Sequence, residues 1–244
     1  MCKPIVGKPA FQFKRFRIEQ QGAAHPVGTD GVLLGAWTNI DGVRSVLDIG
    51  TGTGLVALLL AQRTERLKVE RIIGVEPHSG SAASTAKNFK NAPWADRLQV
   101  VEQTIQRYQP AGRGFDLIVC NPPYFTAGLP SAQADRRMVR QTDALPQEDL
   151  LAAVLDLLAP AGRFCLIMPP VEGRQFCALA AQRRLYFTRL TEVYSRPGRP
   201  IERLLLQLER NPMRLRRDKL VLWKTEQEAS EEFVALTRDF YLMG

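Results

Sequence analysis

The chain has 244 residues, enough for one α/β domain with a sizeable buried core. Hydrophobic residues make up 45% and charged residues 24%, which excludes disordered and collagen-like chains. Lys and Arg total 33 against 25 Asp and Glu, and the formal charge of +8 favours a polyanionic partner, although solubility alone would also account for it.

No stretch approaches the roughly 18 consecutive apolar residues of a membrane-spanning helix. Met1-Cys2-Lys3-Pro4 lacks the apolar core of a secretory signal, so the cytoplasm is the expected location. The four cysteines, Cys2, Cys120, Cys165 and Cys177, show no C-x-x-C pairing, and three of them sit in or near apolar segments, as buried free thiols do. With His25 and His78 as the only histidines, the ligand rules argue against a zinc site, and no metal is expected.

In chain order, Phe11 to Ile18 mixes aromatics with Lys14, Arg15 and Arg17 and reads as a short basic strand. Thr29 to Trp37 reads as a short helix capped by Thr29 or Asp30. Ser45 to Ile49 is an apolar strand running into a glycine-rich turn, with a helix from Leu55 to Arg63 behind it. Arg71 to Val75 is a strand ending at Glu76, followed by a helix over Ser79 to Lys90. Strands follow at Leu98 to Val101 and Phe115 to Cys120, a helix at Asp149 to Leu158, a strand at Phe164 to Met168 and a helix at Phe176 to Arg183. Two strand-like runs, Tyr186 to Tyr194 and Ile201 to Leu208, have no helix-length segment between them. The tail from Glu226 to Gly244 reads as a helix with Phe233, Leu236, Phe240 and Tyr241 as its apolar stripe. Alternating strands and helices imply right-handed βαβ units and a doubly wound, mainly parallel sheet. The closing hairpin would add an antiparallel last strand, making seven in all.

Two segments carry chemistry. Asp48-Ile49-Gly50-Thr51-Gly52-Thr53-Gly54 lies between a strand and a helix, where glycines permit positive φ and let backbone approach a ligand. Glycines also make plain turns, so the match alone decides little. The acidic opening residue can fix the loop or accept from the ammonium of a methionine-type cofactor. The next strand ends in Glu76-Pro77, and a carboxylate there can accept both hydroxyls of a ribose. This pairing resembles the S-adenosylmethionine site of class I methyltransferases.

Asn121-Pro122-Pro123-Tyr124 follows the strand that ends at Cys120, where an open parallel sheet binds its ligands. An exocyclic adenine amine is conjugated with its ring and is a poor nucleophile. Two acceptors aimed at its hydrogens would hold it in line with a methyl donor. Asn121 offers a side-chain carbonyl and Pro122 a backbone carbonyl, the prolines fix φ, and Tyr124 can stack on a flipped base. Pro-rich turns also close strands for structural reasons, but here the turn follows the fourth strand of a chain that already carries the glycine loop.

The chain resembles the bacterial tRNA(Val) (adenine-N6)-methyltransferases over essentially its whole length. The resemblance rests on the N-P-P-Y tetrapeptide, on Phe11-Gln-Phe-Lys-Arg-Phe16 and Val27-Gly-Thr-Asp-Gly-Val-Leu-Leu-Gly-Ala-Trp37, on Tyr194-Ser-Arg-Pro-Gly-Arg-Pro-Ile-Glu-Arg203, and on Phe233 to Leu242. It implies a Rossmann-like fold, a single methyltransferase domain with residues 1–44 as an extension packed on the core and 226–244 as a closing helix, S-adenosyl-L-methionine as cofactor, and a tRNA as substrate, with adenine-37 as the target. It implies cofactor contacts by Thr29, Asp30, Asp48, Gly50, Thr51, Gly52, Gly54, Glu76, Pro77 and Thr104, and catalysis by Asn121, Pro122, Pro123 and Tyr124. Arg136, Arg137 and Arg140 would meet the tRNA backbone, with Lys14, Arg15, Arg17, Arg196 and Arg199 as further RNA contacts. No membrane partner is expected, and a monomer is favoured without being fixed. Two positions depart from the family: His25-Pro26 stand where a Met-Lys pair is usual, and Thr104 stands where an Asp would accept from the cofactor's adenine amine, which implies weaker cofactor binding and leaves the exact substrate open.

Other readings remain. A protein glutamine N5-methyltransferase uses the same clamp on a planar amide but carries a helical N-terminal domain. An amino-methyltransferase for rRNA or DNA bases is another, although DNA enzymes generally need an added recognition domain. A non-catalytic protein binding S-adenosylmethionine or RNA is a third, and the intact clamp argues against it.

Overall fold

Runs such as Ser45–Ile49 and Phe115–Cys120 carry apolar residues on both sides of the pleat, the pattern of strands covered on both faces. The computed structural model, which describes residues 10–22, 26–110, 112, 114–122 and 145–242, places them at the centre of the sheet. In chain order the elements are β1 (Ala10–Gln12), β2 (Arg17–Glu19), α1 (Thr29–Trp37), β3 (Ser45–Ile49), α2 (Leu55–Arg63), β4 (Arg71–Glu76), α3 (Ser79–Lys90), β5 (Leu98–Glu102) and β6 (Phe115–Cys120). Then come α4 (Gln147–Leu157), β7 (Leu158–Met168), α5 (Pro170–Gln182), β8 (Tyr186–Tyr194), β9 (Ile201–Glu209), β10 (Arg216–Val221) and α6 (Glu231–Thr237).

β1 and β2 form a separate antiparallel pair, and the other strands form one sheet in the order β10-β8-β9-β7-β6-β3-β4-β5. Among the described strands of this sheet only β9 runs against its neighbours, pairing antiparallel with both β7 and β8. The period of two sends alternate residues to opposite faces. Val46, Ile72, Leu117 and Ile167 face a core shared with α1 and α2, whereas Leu47, Ile73, Ile118 and Leu166 face one shared with α4 and α5. The chain therefore winds on both sides of the sheet, as a Rossmann-like class I methyltransferase does. Its strand order reverses between β3 and β6, and such a switch point opens a crevice at the carboxyl ends of the strands.

Four local features differ from what the sequence suggests. An eighth strand, β10, lies parallel to β8 at the sheet's edge. Phe11 to Ile18 is not one strand but a hairpin, with Phe13 and Phe16 buried at its turn and the Phe13 N–H donating to the Phe16 carbonyl. Neither Thr29 nor Asp30 caps α1: the N-cap is Gly28, and no side chain closes it. Among its described residues the tail is helical only over α6, capped by the Ser230 hydroxyl, which accepts from the Phe233 N–H.

The hairpin is tied to the core twice. The Asn88 amide of α3 donates to the Glu19 carbonyl and to the Thr53 carbonyl of the glycine loop, and its own oxygen accepts from the Glu19 N–H. On the other side Phe11 and Phe13 pack on Tyr241, and the Lys14 N–H donates to the Phe240 carbonyl. The far end of α1 is fixed by three guanidiniums. Arg63 donates to the Gly35 and Thr38 carbonyls, Arg189 to that of Trp37, and Arg163 to those of Asn39 and Asp41. Cations at a helix C-terminus satisfy its orphan carbonyls and oppose its dipole.

Candidate active site

The glycine loop leaves β3 in a chain of left-handed turns: Gly50, Gly52 and Gly54 have φ of 67°, 61° and 82°. Each takes a conformation that a side chain resists, but for different surroundings. A Cβ on Gly50 would meet nothing within 4 Å, so that stretch of backbone faces open space. A Cβ on Gly54 would lie 2.6 Å from Phe89 Cε1 and 3.2 Å from Thr85 Cγ2, which lets α3 close onto the loop. Gly54→Ala combines strain with overpacking and is expected to cost about 2–4 kcal/mol, read as a lower urea midpoint; an unchanged midpoint would contradict this packing.

The loop is stitched to its neighbours. The Gly50 and Thr51 N–H groups donate to the Val75 carbonyl at distances of 2.9 and 3.2 Å. Asp48 is buried beneath, its Oδ2 accepting from the Thr51 hydroxyl at 2.7 Å and from the Ala57 N–H at 3.2 Å. Burial pushes its carboxyl up to about 7, against the opposing pull of those two donors. Thr51 packs on Gly74 of β4, where a Cβ would come within 2.7 Å of the Thr51 Cγ2. Gly74 is a site residue that the two sequence motifs do not include; its signal is that of a lone glycine inside the strand Arg71–Glu76, which marks a close approach.

Glu76, also buried, ends β4 beside this loop. Its Oε2 accepts from the Gly52 N–H at 2.8 Å and its Oε1 from the His78 N–H at 3.1 Å. The carboxylate is thus held in one orientation at the crevice, and its remaining lone pairs could accept the two hydroxyls of a ribose. Pro77 is exposed just beyond it. Thr104 is exposed past the end of β5, on the segment whose Gln103 N–H donates to the Glu76 carbonyl.

On the other side of β3, β6 ends at Cys120, in register with Ile49, so Asn121 and the buried Pro122 stand next to Gly50 at the same edge. The first turn of α1 leans on this point. A Cβ on Gly31 would be 2.8 Å from Leu55 Cδ2 and 3.8 Å from Asn121 Nδ2. Thr29 is exposed at the start of that turn, and Asp30 Oδ2 accepts from Arg203 Nε of β9 at 2.8 Å. The described part of the constellation is therefore brought together: Asp48, the glycines, Glu76, Asn121, Pro122 and the start of α1. Pro123 and Tyr124, like Arg136, Arg137, Arg140, Cys2 and His25, lie outside the described residues.

The remaining basic candidates separate. Lys14 Nζ donates to the Arg238 carbonyl, Arg15 makes a bidentate pair with Glu65, and Arg17 pairs with Glu19, all around the hairpin. Arg196, paired with Glu226, and the exposed Arg199 lie between β8 and β9, a connection on the carboxyl edge that also carries Asn121. A cleft of about 490 Å³ opens at the opposite edge, lined by Trp37, Arg63, Arg189, Glu209, Arg214 and Arg216 among others. Two of its arginines are the ones bonded to the carbonyls of α1. Cys120, Cys165 and Cys177 are buried free thiols, each pushed up by burial. Among the described residues, no group of three or more His, Cys, Asp or Glu could hold a metal, and no helix is long and apolar enough to cross a membrane.

The methyltransferase small domain family matches residues 30–160. The tRNA1(Val) (adenine(37)-N6)-methyltransferase of Bacteroides thetaiotaomicron is 40% identical over 237 residues, covering 97% of this chain and 99% of that protein. Its counterpart in Photobacterium profundum is 42% identical over 236 residues, covering 95% and 98%. Among solved structures, a predicted O-methyltransferase from Agrobacterium tumefaciens matches with a TM-score of 0.68 at 20% identity, over 86% of this chain and 96% of its own. A 16S rRNA N2 methyltransferase from T. thermophilus, solved with AdoMet and guanosine, matches at 0.56 and 22% identity, over 83% of this chain and 50% of its own. The structural likenesses establish the fold, and identity along nearly the full length establishes kinship: the chain belongs to the tRNA1(Val) (adenine(37)-N6)-methyltransferase family.

Proposed function

We propose that the chain transfers a methyl group from S-adenosyl-L-methionine to the exocyclic N6 of adenine-37 in tRNA1(Val), in the cytoplasm where that tRNA resides. The observation that carries this reading is the placement of Asn121-Pro122 at the end of β6, beside the glycine loop that ends β3 and across β3 from Glu76 at the end of β4. The names of relatives about 40% identical supply the substrate.

The cofactor supplies an electrophilic methyl on its sulfonium. The open backbone at Gly50 and the oriented Glu76 carboxylate fit it, as backbone approach and ribose acceptor. Thr51, Gly52 and Gly54 shape that backbone, and Asp48 fixes it from below. Thr29, Asp30, Pro77 and Thr104 border the crevice. Asn121 Oδ1 and the Pro122 carbonyl accept the two amine hydrogens, aligning the nitrogen lone pair with the methyl carbon. These oxygens would stabilise the positive charge that the amine gains on taking the methyl from the sulfonium, whose sulfur is left as a neutral thioether, and one amine proton would then leave to solvent. Pro123 and Tyr124 complete the tetrapeptide, with Tyr124 as the residue that would stack on the flipped base. Arg196 and Arg199, on the same edge, meet the phosphates flanking the target. The hairpin cations, each with a local partner, and Arg136, Arg137 and Arg140 are secondary contacts.

Mass spectrometry of a tRNA1(Val) transcript treated with the protein and labelled cofactor tests the reading. N6-methyladenosine at position 37 is expected, and label at another base or in protein amide would overturn it. Binding of that transcript should weaken linearly in log–log form as salt rises, by about 0.7–0.9 units of slope for each phosphate contact. A flat profile would remove the role given to the basic residues.

A further inference from the structure

The geometry points to Arg203 as a positioning residue for methyl transfer, acting through Asp30 and the first turn of α1 on Asn121. The inference rests on the proposed reaction and adds a residue outside the glycine loop and the N-P-P-Y turn. β9 runs antiparallel to β7, with Leu204 paired to Met168, so its start lies on the carboxyl edge of the sheet. Arg203 is therefore on the same edge as Asn121, one strand beyond β7. Its Nε donates to Asp30 Oδ2 at 2.8 Å, and its Nη1 donates to the Glu202 carbonyl at 2.7 Å, which fixes the guanidinium plane from both sides.

Asp30 is not a helix cap, and α1 has no side-chain cap of its own. The ion pair with Arg203 ties the Asp30 side chain to β9, 173 residues away in sequence. The next residue, Gly31, is the point where α1 meets Leu55 of α2 and the Asn121 amide. A Cβ there would lie 2.8 Å from Leu55 Cδ2 and 3.8 Å from Asn121 Nδ2, so the turn stands close beside the Asn121 amide and a shift of the turn changes the space next to it. The opposite end of α1 is pinned by Arg63, Arg163 and Arg189. Arg203 supplies the fourth anchor, at the end that touches the clamp. Both partners are about one-third exposed, with side chains 32% and 27% accessible, and such pairs add little to folding stability. What the pair controls is position. Displacements of about an ångström at a reacting amine lower rates by about a hundredfold.

The test is steady-state methyl transfer to the tRNA1(Val) transcript by the full chain, with cofactor binding measured by calorimetry and melting by scanning calorimetry. Arg203→Gln should lower kcat by about tenfold or more, with cofactor Kd, KM for tRNA and melting temperature little changed; Asp30→Asn, at a residue that also borders the cofactor crevice, should lower kcat as much with melting temperature and KM for tRNA little changed. Arg203→Lys, which keeps the charge but not the planar fork, should fall between. Because the pair acts as a unit, the double variant should lose no more than either single one. Unchanged kcat, a loss confined to KM for tRNA, additive losses in the double variant, or a melting temperature that falls in step with activity would each overturn the inference. Wild type and Asn121→Ala run alongside separate the two claims: an inactive wild type sinks the proposed reaction and this inference with it, whereas an active wild type with an equally active Arg203→Gln sinks only the inference.

Discussion

Asn121→Ala is expected to lower methyl transfer about 10²- to 10³-fold while cofactor binding stays within a few-fold of wild type. The magnitude follows from removing one preorganised polar partner of a charge that develops only in the transition state. The selectivity follows from placement, because Asn121 closes β6 whereas the loop and Glu76 close β3 and β4. Alanine at 121 leaves in place the hydrogen bonds that Asp48 accepts from Thr51 and Ala57 and those that Glu76 accepts from Gly52 and His78. Single-turnover assays with calorimetry on the same samples separate the two effects. Parallel loss of binding and turnover would mean that Asn121 holds the cofactor and not the acceptor.

Asp48 should make the cofactor-free protein less stable as pH rises from about 4 to 7. In the unfolded chain its carboxyl titrates near 3.9. In the fold, burial moves it to about 7. Between those values the native state holds a proton that the unfolded state has lost, so stability falls with rising pH and levels off above 7. About three pKa units correspond to an upper bound of about 4 kcal/mol, or roughly 10 °C for a chain of this size. Asp48→Asn mimics the protonated form and keeps an oxygen for the Ala57 N–H. Its melting curve should coincide with wild type near pH 4 and lie above it by pH 8. Parallel curves across that range would show that Asp48 ionises as it does in water.

The parts of the molecule that the sequence disclosed are those whose signals are local. Ser45–Ile49 and Phe115–Cys120 have continuous apolar runs, and the turns that follow them contain residues with narrow backbone preferences, so strands and loops alike could be placed. The misreadings arose where a distant partner decided the outcome. Thr29-Asp30 has the composition of a helix cap, yet Arg203 takes the Asp30 carboxylate from across the sheet. Phe11 to Ile18 mixes aromatic and basic residues as a short strand does, but its turn is made by Lys14-Arg15 with no Gly or Pro to announce it. The apolar stripe toward Phe240 continues past α6 because those residues pack on the hairpin and not because they are helical. Ser230 did carry a capping signal that would have set the true start. β10 escaped notice because Arg216–Val221 buries little beyond Leu220, and its pairing with β8 draws on backbone.

That strand also governs how the molecule meets its own copies. An exposed sheet edge is a template onto which another chain can add, and eight strands would otherwise end in such a margin. Here the outermost strand carries Arg216, Arg217 and Lys219 against one carboxylate, Asp218, which pairs with Arg216, so a second molecule docking edge to edge would bring one net positive segment against another. Edge-on aggregation is thereby disfavoured by repulsion, a safeguard that weakens as added salt screens the charges.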